Sequence, residues 1–228
     1  MNDRMEYQKV LKKLKSHANR KNVEGMARFG INPKNTLGVS VYTVRDIAKE
    51  IGKNHVLAKR LWNSKIHEAR ILASLVALPE KTDEALMERW VKDFDSWDVC
   101  DQVCSNLFDK TPFAYKKAFE WSKRKEEFVK RAGFVLMAAL SVHDKKASDS
   151  RLSKFFPIIV RESNDDRNFV KKAVNWALRN IGKRNRVLNR KAIATAKKIR
   201  KIDSKTARWI AADALRELTS EKVRKRLK

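Results

Sequence analysis

Lys130-Arg-Ala-Gly-Phe-Val-Leu-Met-Ala138 and Lys171-Lys-Ala-Val-Asn-Trp-Ala-Leu-Arg179 open alike, with a basic pair, a small residue and then a largely apolar run. His67-Glu-Ala-Arg-Ile-Leu-Ala-Ser-Leu75 has a related form, with Ala69 standing where Ala132 and Ala173 stand in the others. Apolar residues in these segments recur at three and four, the period of a helix that buries one face. Ala132 and Ala173 are 41 residues apart, within the range of two-helix HEAT or armadillo units, whereas Ala69 precedes Ala132 by 63, so the period is irregular. Ordinary packed helices can look alike by coincidence. The repeat reading wins because helix pairs fill the chain and no strand pattern competes.

Outward from these segments the same period continues. Only six Gly and four Pro punctuate 228 residues. The pattern predicts helices over 4–20, 22–29, 41–51, 54–64, 66–78, 81–94, 97–109, 112–123, 126–143, 148–163, 167–181, 186–201 and 205–225. Cap chemistry marks three of the starts: Ser96 before Trp97, Thr111-Pro112, and Ser204 before Lys205. Short connections make sequential helices antiparallel neighbours. The expected fold is therefore all-α, a single domain over 1–228 of stacked antiparallel helix pairs. Such a HEAT/armadillo-like solenoid curves, which would give it a concave basic face.

The basic character comes from 53 Lys+Arg against 27 Asp+Glu, a formal net charge of +26. A folded domain tolerates that self-repulsion most easily when a polyanion is its usual partner. No 18-residue apolar run suggests a membrane span, and no lipidation signal is present. Met1-Asn-Asp-Arg-Met5 is charged and leads into no apolar signal region. Cys100 and Cys104 would share a helix face as small buried thiols. His17, His55, His67 and His143 are scattered singly, so no metal-ligand spacing forms. A reduced, cytoplasmic protein is expected, nucleoid-associated if prokaryotic. It is expected to be a monomer, given its charge, and to use no metal or cofactor.

Charge is also unevenly spread. From Arg167 to Ile202 there is no Asp or Glu, while thirteen bases occur, among them Lys172, Arg179, Lys183, Arg184 and Arg186. A solvated helix face normally interleaves both signs, whereas an acid-free run suits phosphates, whose neutralisation releases counterions. Between Asp93 and Asp109 the reverse holds: five Asp and no base, where about four bases would be expected from the composition. Carboxylates repel DNA, so such a cluster needs either a surface away from the duplex or a chemical role.

Within that acidic window, Asp95-Ser-Trp-Asp-Val-Cys-Asp101 puts Trp97 and Asp101 one helical turn apart on one face. Trp176 lies on the basic segment, with Lys172 four residues before it and Arg179 three after. Taken singly, each Trp reads as core and Asp101 as a helix-surface charge. Together, Ser96-Trp97-Asp98-Val99-Cys100-Asp101 and Lys171-Lys-Ala-Val-Asn-Trp176-Ala-Leu-Arg179 resemble the AlkD-type alkylpurine DNA glycosylases, which are built from HEAT-like repeats. Met26-Ala-Arg-Phe29 and Val129-Lys-Arg131-Ala132 add to the resemblance, which runs along nearly the whole chain in order and spacing.

The resemblance implies that Trp97 and Trp176 are aromatic walls against the lesion's sugar and backbone, and that Asp101 is the catalytic carboxylate. It implies phosphate contacts from Arg131 and Arg179, with further DNA contacts expected from Lys172, Lys183, Arg184, Arg186, Phe29 and Ser40. The family pattern often carries two adjacent tryptophans before the first Asp; here Ser96 takes the earlier place. Ser40 stands where a longer polar side chain would be expected. The implied partner is duplex DNA carrying alkylated purines, and the implied activity is release of cationic bases such as N3-alkyladenine and N7-alkylguanine. A non-catalytic module for damaged or branched DNA is the alternative. A solenoid that binds RNA or protein is a third reading.

Overall fold

The computed structural model describes residues 3–227; Met1 and Asn2 of the charged N-terminal stretch lie outside them, as does Lys228. The described residues are helical with no strand, and they separate into two compact units, Met1–Phe113 and Ala114–Lys228.

The first unit holds α1 (Asp3–Ser16), α2 (Arg20–Arg28), α3 (Val41–Ile51), α4 (His55–Asn63), α5 (His67–Val76), α6 (Glu84–Lys92) and α7 (Trp97–Asn106), with 3₁₀ turns at Pro79–Lys81 and Phe108–Lys110. Short polar side chains start several of these helices. Asn19, Ser40, Asn54 and Asp83 each accept the backbone N–H three residues on, satisfying a donor the first turn leaves open. The core of this unit is aromatic. Trp62 and Trp90 stack at 4.1 Å with ring planes 2° apart, flanked by Phe94 and Phe108, and the Arg70 guanidinium lies 5.3 Å from the Trp62 ring.

The second unit holds α8 (Ala114–Trp121), α9 (Glu127–His143), α10 (Asp149–Ser153), α11 (Phe156–Arg161), α12 (Asn168–Gly182), α13 (Arg186–Arg200), α14 (Lys205–Leu218) and α15 (Glu221–Arg226). Helix α9 is apolar on nearly every side and is packed against α8 and α12, as a helix without a solvent stripe must be. Gly133 permits the approach of α8's end: a Cβ there would lie 2.5 Å from the Ser122 amide nitrogen.

The predicted helices are present, with three differences of internal structure. The span 148–163 breaks at Lys154–Phe155 into α10 and α11, because Pro157 cannot donate an amide into a continuous helix and instead sits at the start of α11. The span 205–225 breaks at Thr219–Ser220, where Ser220 caps a new helix by accepting the Val223 amide. The span 97–109 ends at Asn106 and continues as a 3₁₀ turn. Ser204 caps α14 as its position predicts. Thr111 instead closes the 3₁₀ turn, donating its hydroxyl to the Phe108 carbonyl, and α8 starts only at Ala114.

Repetition shows as register. Asn175 Nδ2 donates to Asp213 Oδ2 at 2.6 Å, Arg179 Nη1 donates to Glu217 Oε2 at 2.6 Å, and the Lys171 ammonium lies 5.7 Å from the Trp209 ring. Each pair is separated by 38 residues, and positions i, i+4, i+8 of α12 meet i, i+4, i+8 of α14. Helices α12 and α14 are therefore parallel neighbours, with α13 returning between them, as stacked helix pairs require.

Candidate nucleic-acid interface

Trp97 is the first residue of α7, and its placement is fixed from several directions. Its indole Nε1 donates to the Phe29 carbonyl at 3.0 Å. Ser96, the preceding residue, is fully buried and does not cap α7; its Oγ accepts the Asn32 amide at 2.9 Å, while Asn32 Nδ2 donates to Asp95 Oδ2. Asp98 Oδ2 lies 2.8 Å from His67 Nε2. Burial pushes the His67 pKa down, but the Asp98 hydrogen bond and the charges of Asp98, Glu68 and Asp95 outweigh it and raise the pKa above the ordinary histidine value.

The acidic window thus has internal uses. Asp93 Oδ2 accepts the Trp62 indole N–H at 2.8 Å, Asp95 meets Asn32 and lies 3.5 Å from Arg70 Nη1, and Asp98 pairs with His67. Asp101 lies one turn beyond Trp97 on α7 and is half-buried.

Beside α7 a cleft of about 620 Å³ opens in the first unit. Phe29, Ser40 and Trp97 all line it, together with Met26, Ile31, His67 and Asp98. Phe29 ends α2 and is 73% exposed. Ser40 caps α3 through the Thr43 amide at 3.1 Å. The loop between α2 and α3 that forms the cleft wall is held by Glu68. This carboxylate, 1% exposed, accepts backbone N–H groups from Leu37, Gly38 and Val39, the shortest at 2.6 Å from Gly38. Gly38 has φ +77°, and a Cβ there would meet the Asn19 carbonyl oxygen at 2.1 Å, so only glycine fits.

In the second unit Trp176 is half-buried on α12, with exposed Lys172 one turn before it and half-buried Arg179 after it. Arg179 is held by Glu217, which also accepts from Lys183 Nζ at 2.7 Å. Burial works against the ionisation of Glu217, but Lys183 and Arg179 prevail and hold its carboxyl below the usual range. Arg184 donates to the Ser141, Lys145 and Ala147 carbonyls at the end of α9, and Arg186 Nε donates to the Leu227 carbonyl at 3.3 Å. Arg131 is 5% exposed and donates from Nη1 to the Phe169 carbonyl at 2.6 Å. The acid-free segment is therefore partly neutralised from outside itself, by Asp165, Asp213 and Glu217. Lys172, Arg190, Lys197, Lys198, Arg200 and Lys201 are exposed, with no carboxylate partner among the described residues.

The model of a family described as DNA alkylation repair enzyme matches residues 10–218. The chain belongs to that family. Among solved structures, this DNA alkylation repair family member resembles one described as "a new family of proteins related to the HEAT-like repeat DNA glycosylases with affinity for branched DNA structures". The TM-score is 0.77 at 20% identity, covering 93% of this chain and 95% of that one. The likeness establishes a shared HEAT-like all-α fold. More distant are an engineered protein, with TM-score 0.41 at 15% identity over 96% and 99% of the two chains, and a designed armadillo repeat protein in complex with peptide (KR)4. The latter has TM-score 0.39 at 13% identity over 81% and 88%. No curated protein matches the repair-family chain.

Among its described residues, no cluster of three or more His, Cys, Asp or Glu is placed to hold a metal, and no helix is long and apolar enough to cross a membrane. No local sequence pattern marks His67, Glu68, Gly38 and Asn32 as the residues that fix the cleft and the start of α7. His67 and Asp98 are 31 residues apart, and only the stacking of α5 on α7 makes them partners.

Proposed function

We propose that this protein hydrolyses the N-glycosidic bond of cationic alkylated purines in duplex DNA. Asp101 stabilises the sugar as it becomes oxocarbenium-like. The observation that carries the reading is on α7: Trp97 and Asp101 share one face, one turn apart, in a helix whose first turn is pinned by the Trp97–Phe29, Asp98–His67 and Ser96–Asn32 bonds. Catalytic electrostatics depends on preorganisation, and these bonds hold the start of the helix that carries Asp101.

A purine alkylated at N3 or N7 already carries positive charge and departs neutral, so no general acid is needed. What remains is the sugar. A carboxylate ~4 Å from a unit positive charge, at an effective dielectric of ~20, is worth about 4 kcal/mol, or roughly a thousandfold in rate. Asp101 would also orient the attacking water. An indole face adds cation–π attraction of ~0.5–2 kcal/mol, the role proposed for Trp97 beside Asp101; Trp176, on the second unit, is proposed as an aromatic contact to the lesion-bearing strand. Lys172, Arg179, Lys183 and Arg186 are proposed phosphate contacts. Arg131 and Arg184 have N–H donors committed to backbone carbonyls, so they contribute field more than direct contact. Phe29 and Ser40, on the cleft wall, are proposed to meet DNA beside Trp97.

A second reading, a binding module without turnover, is favoured by one feature. Ser96, where the family pattern often carries a second tryptophan, is buried and bonded to Asn32, so one aromatic wall is missing. The solved relative described as having affinity for branched DNA fits that reading too.

Single-turnover release of free base from methylated duplex DNA, wild type beside Asp101→Asn, separates the two. The expected result is release by the wild type, a fall of roughly a thousandfold in the variant, and nearly unchanged binding. Binding without any free base establishes the module instead.

A further inference from the structure

Trp209 is the most exposed tryptophan among the described residues, at 42%. It lies on α14, outside the catalytic constellation, and an indole this open can be covered by another planar group. Cations outnumber carboxylates around it. Lys171 holds its ammonium 5.7 Å from the ring centroid, exposed Lys172 follows on the same helix, and exposed Lys205 and Arg208 precede Trp209 on α14. Arg208 pairs with Asp203, and Asp213, one turn beyond Trp209, is taken up by Asn175, Arg179 and Arg216. The position is also ordered. Trp209 occupies the first rung of the α12–α14 register, above the Asn175–Asp213 and Arg179–Glu217 bonds.

We propose that Trp209 and Lys171 form a seat for an unpaired nucleotide of a DNA strand, its base stacked on the open side of the indole and its phosphate beside Lys171 and Lys172. The occupant has to be planar, to cover an indole, and anionic, to suit the cations around it; a nucleotide is both. A second copy of this chain would bring its own excess of positive charge, which opposes that pairing. Paired bases within a duplex present only their edges, because their faces are stacked on each other. An indole can therefore take a base only where the strand is frayed, gapped or forked. The seat rests on the second unit being a DNA-binding surface and is independent of base release.

The test compares two DNAs of equal paired length: a fork with single-stranded thymidine arms, and a dumbbell duplex whose ends are closed. Stacking on one aromatic residue corresponds to roughly tenfold in affinity, so Trp209→Ala should weaken fork binding by about that factor and dumbbell binding by less than about twofold. Trp209→Phe, which keeps a ring, should retain most of the fork affinity. Equal affinity of Trp209→Ala and wild type for the fork, or an equal loss on both DNAs, overturns the seat. In either case salt-sensitive dumbbell binding shows that the DNA-binding surface itself stands. If the alanine variant does not fold, the indole emission lost in Trp209→Phe decides the matter. A thymidine oligomer should quench that component in the wild type, and its failure to do so overturns the proposal.

Discussion

His67 Nε2 and Asp98 Oδ2 lie 2.8 Å apart at the wall of the first unit's cleft, joining the first residue of α5 to the first turn of α7. Asp98 follows Trp97 directly on α7, so the charge state of one buried imidazole bears on the placement of that indole. Because the folded-state pKa of His67 is raised, the pair's contribution to stability is complete below the ordinary histidine pKa and is lost as pH rises through the folded value. Urea unfolding between about pH 5 and about pH 9 should show stability declining on the alkaline side, with the slope reduced in His67→Asn. A variant that keeps the full slope would remove His67 as its source.

Glu68 makes a second prediction. Its carboxylate accepts three consecutive amides of the cleft loop, and Glu68→Gln removes the charge they point at and turns an amide donor toward the Leu37 N–H. A loss of about 2–3 kcal/mol is expected. Hydrogen exchange should localise the damage to residues 36–40, whose amides lose protection before those of α5.

Gly38→Ala should cost at least about 2 kcal/mol, since the left-handed backbone and the Asn19 carbonyl both oppose a side chain. Gly25→Ala, whose added Cβ meets nothing within 4 Å, is the matched control and should be neutral or slightly stabilising. Chemical denaturation of both variants checks the pair.

Cys100 and Cys104 are fully buried, and burial followed by the contact with Cys100 pushes the Cys104 thiol well up. Neither should react with a thiol reagent in the native state. Labelling should follow the opening of α7 and accelerate in step with denaturant. Rapid labelling of the folded protein would contradict the burial.

Salt dependence tests the proposed phosphate contacts. Lys172 is exposed and carries no carboxylate, so Lys172→Ala should lower the log–log salt slope of duplex binding by about 0.9. Arg190→Ala on α13 tests whether the contact extends that far; an unchanged slope excludes it.

Periodicity made the helices readable from the sequence, because burying one face of each imposes a spacing of three and four that few other structures tolerate. The breaks were harder to see. Pro157 lies within an apolar run that reads as continuous, and Ser220 becomes a cap only because Thr219 ends the preceding turn. Trp97 lies far from Phe29 and Ser40 in the sequence, and all three line one cleft. The residues that hold that cleft were not identified, since His67–Asp98 and Glu68–Gly38 are pairings of distant segments that leave no local pattern. Ser96 shows the same gap: read as a cap, it serves instead to bond Asn32.

Glu217 serves two cations at once, Arg179 and Lys183. If DNA is bound there as proposed, a phosphate meets an exchange rather than a vacancy, and must take over a partner that a carboxylate already holds. The gain at that point is smaller than at uncommitted Lys172, but the guanidinium has already lost its freedom and need not be ordered on arrival. Small mobile anions, which cannot bridge several positions together, have little to win there, while a polymer whose charges are fixed in a row can displace the carboxylate once and hold on elsewhere. This stretch of α12 should accordingly discriminate by the spacing of negative charge more than by its amount.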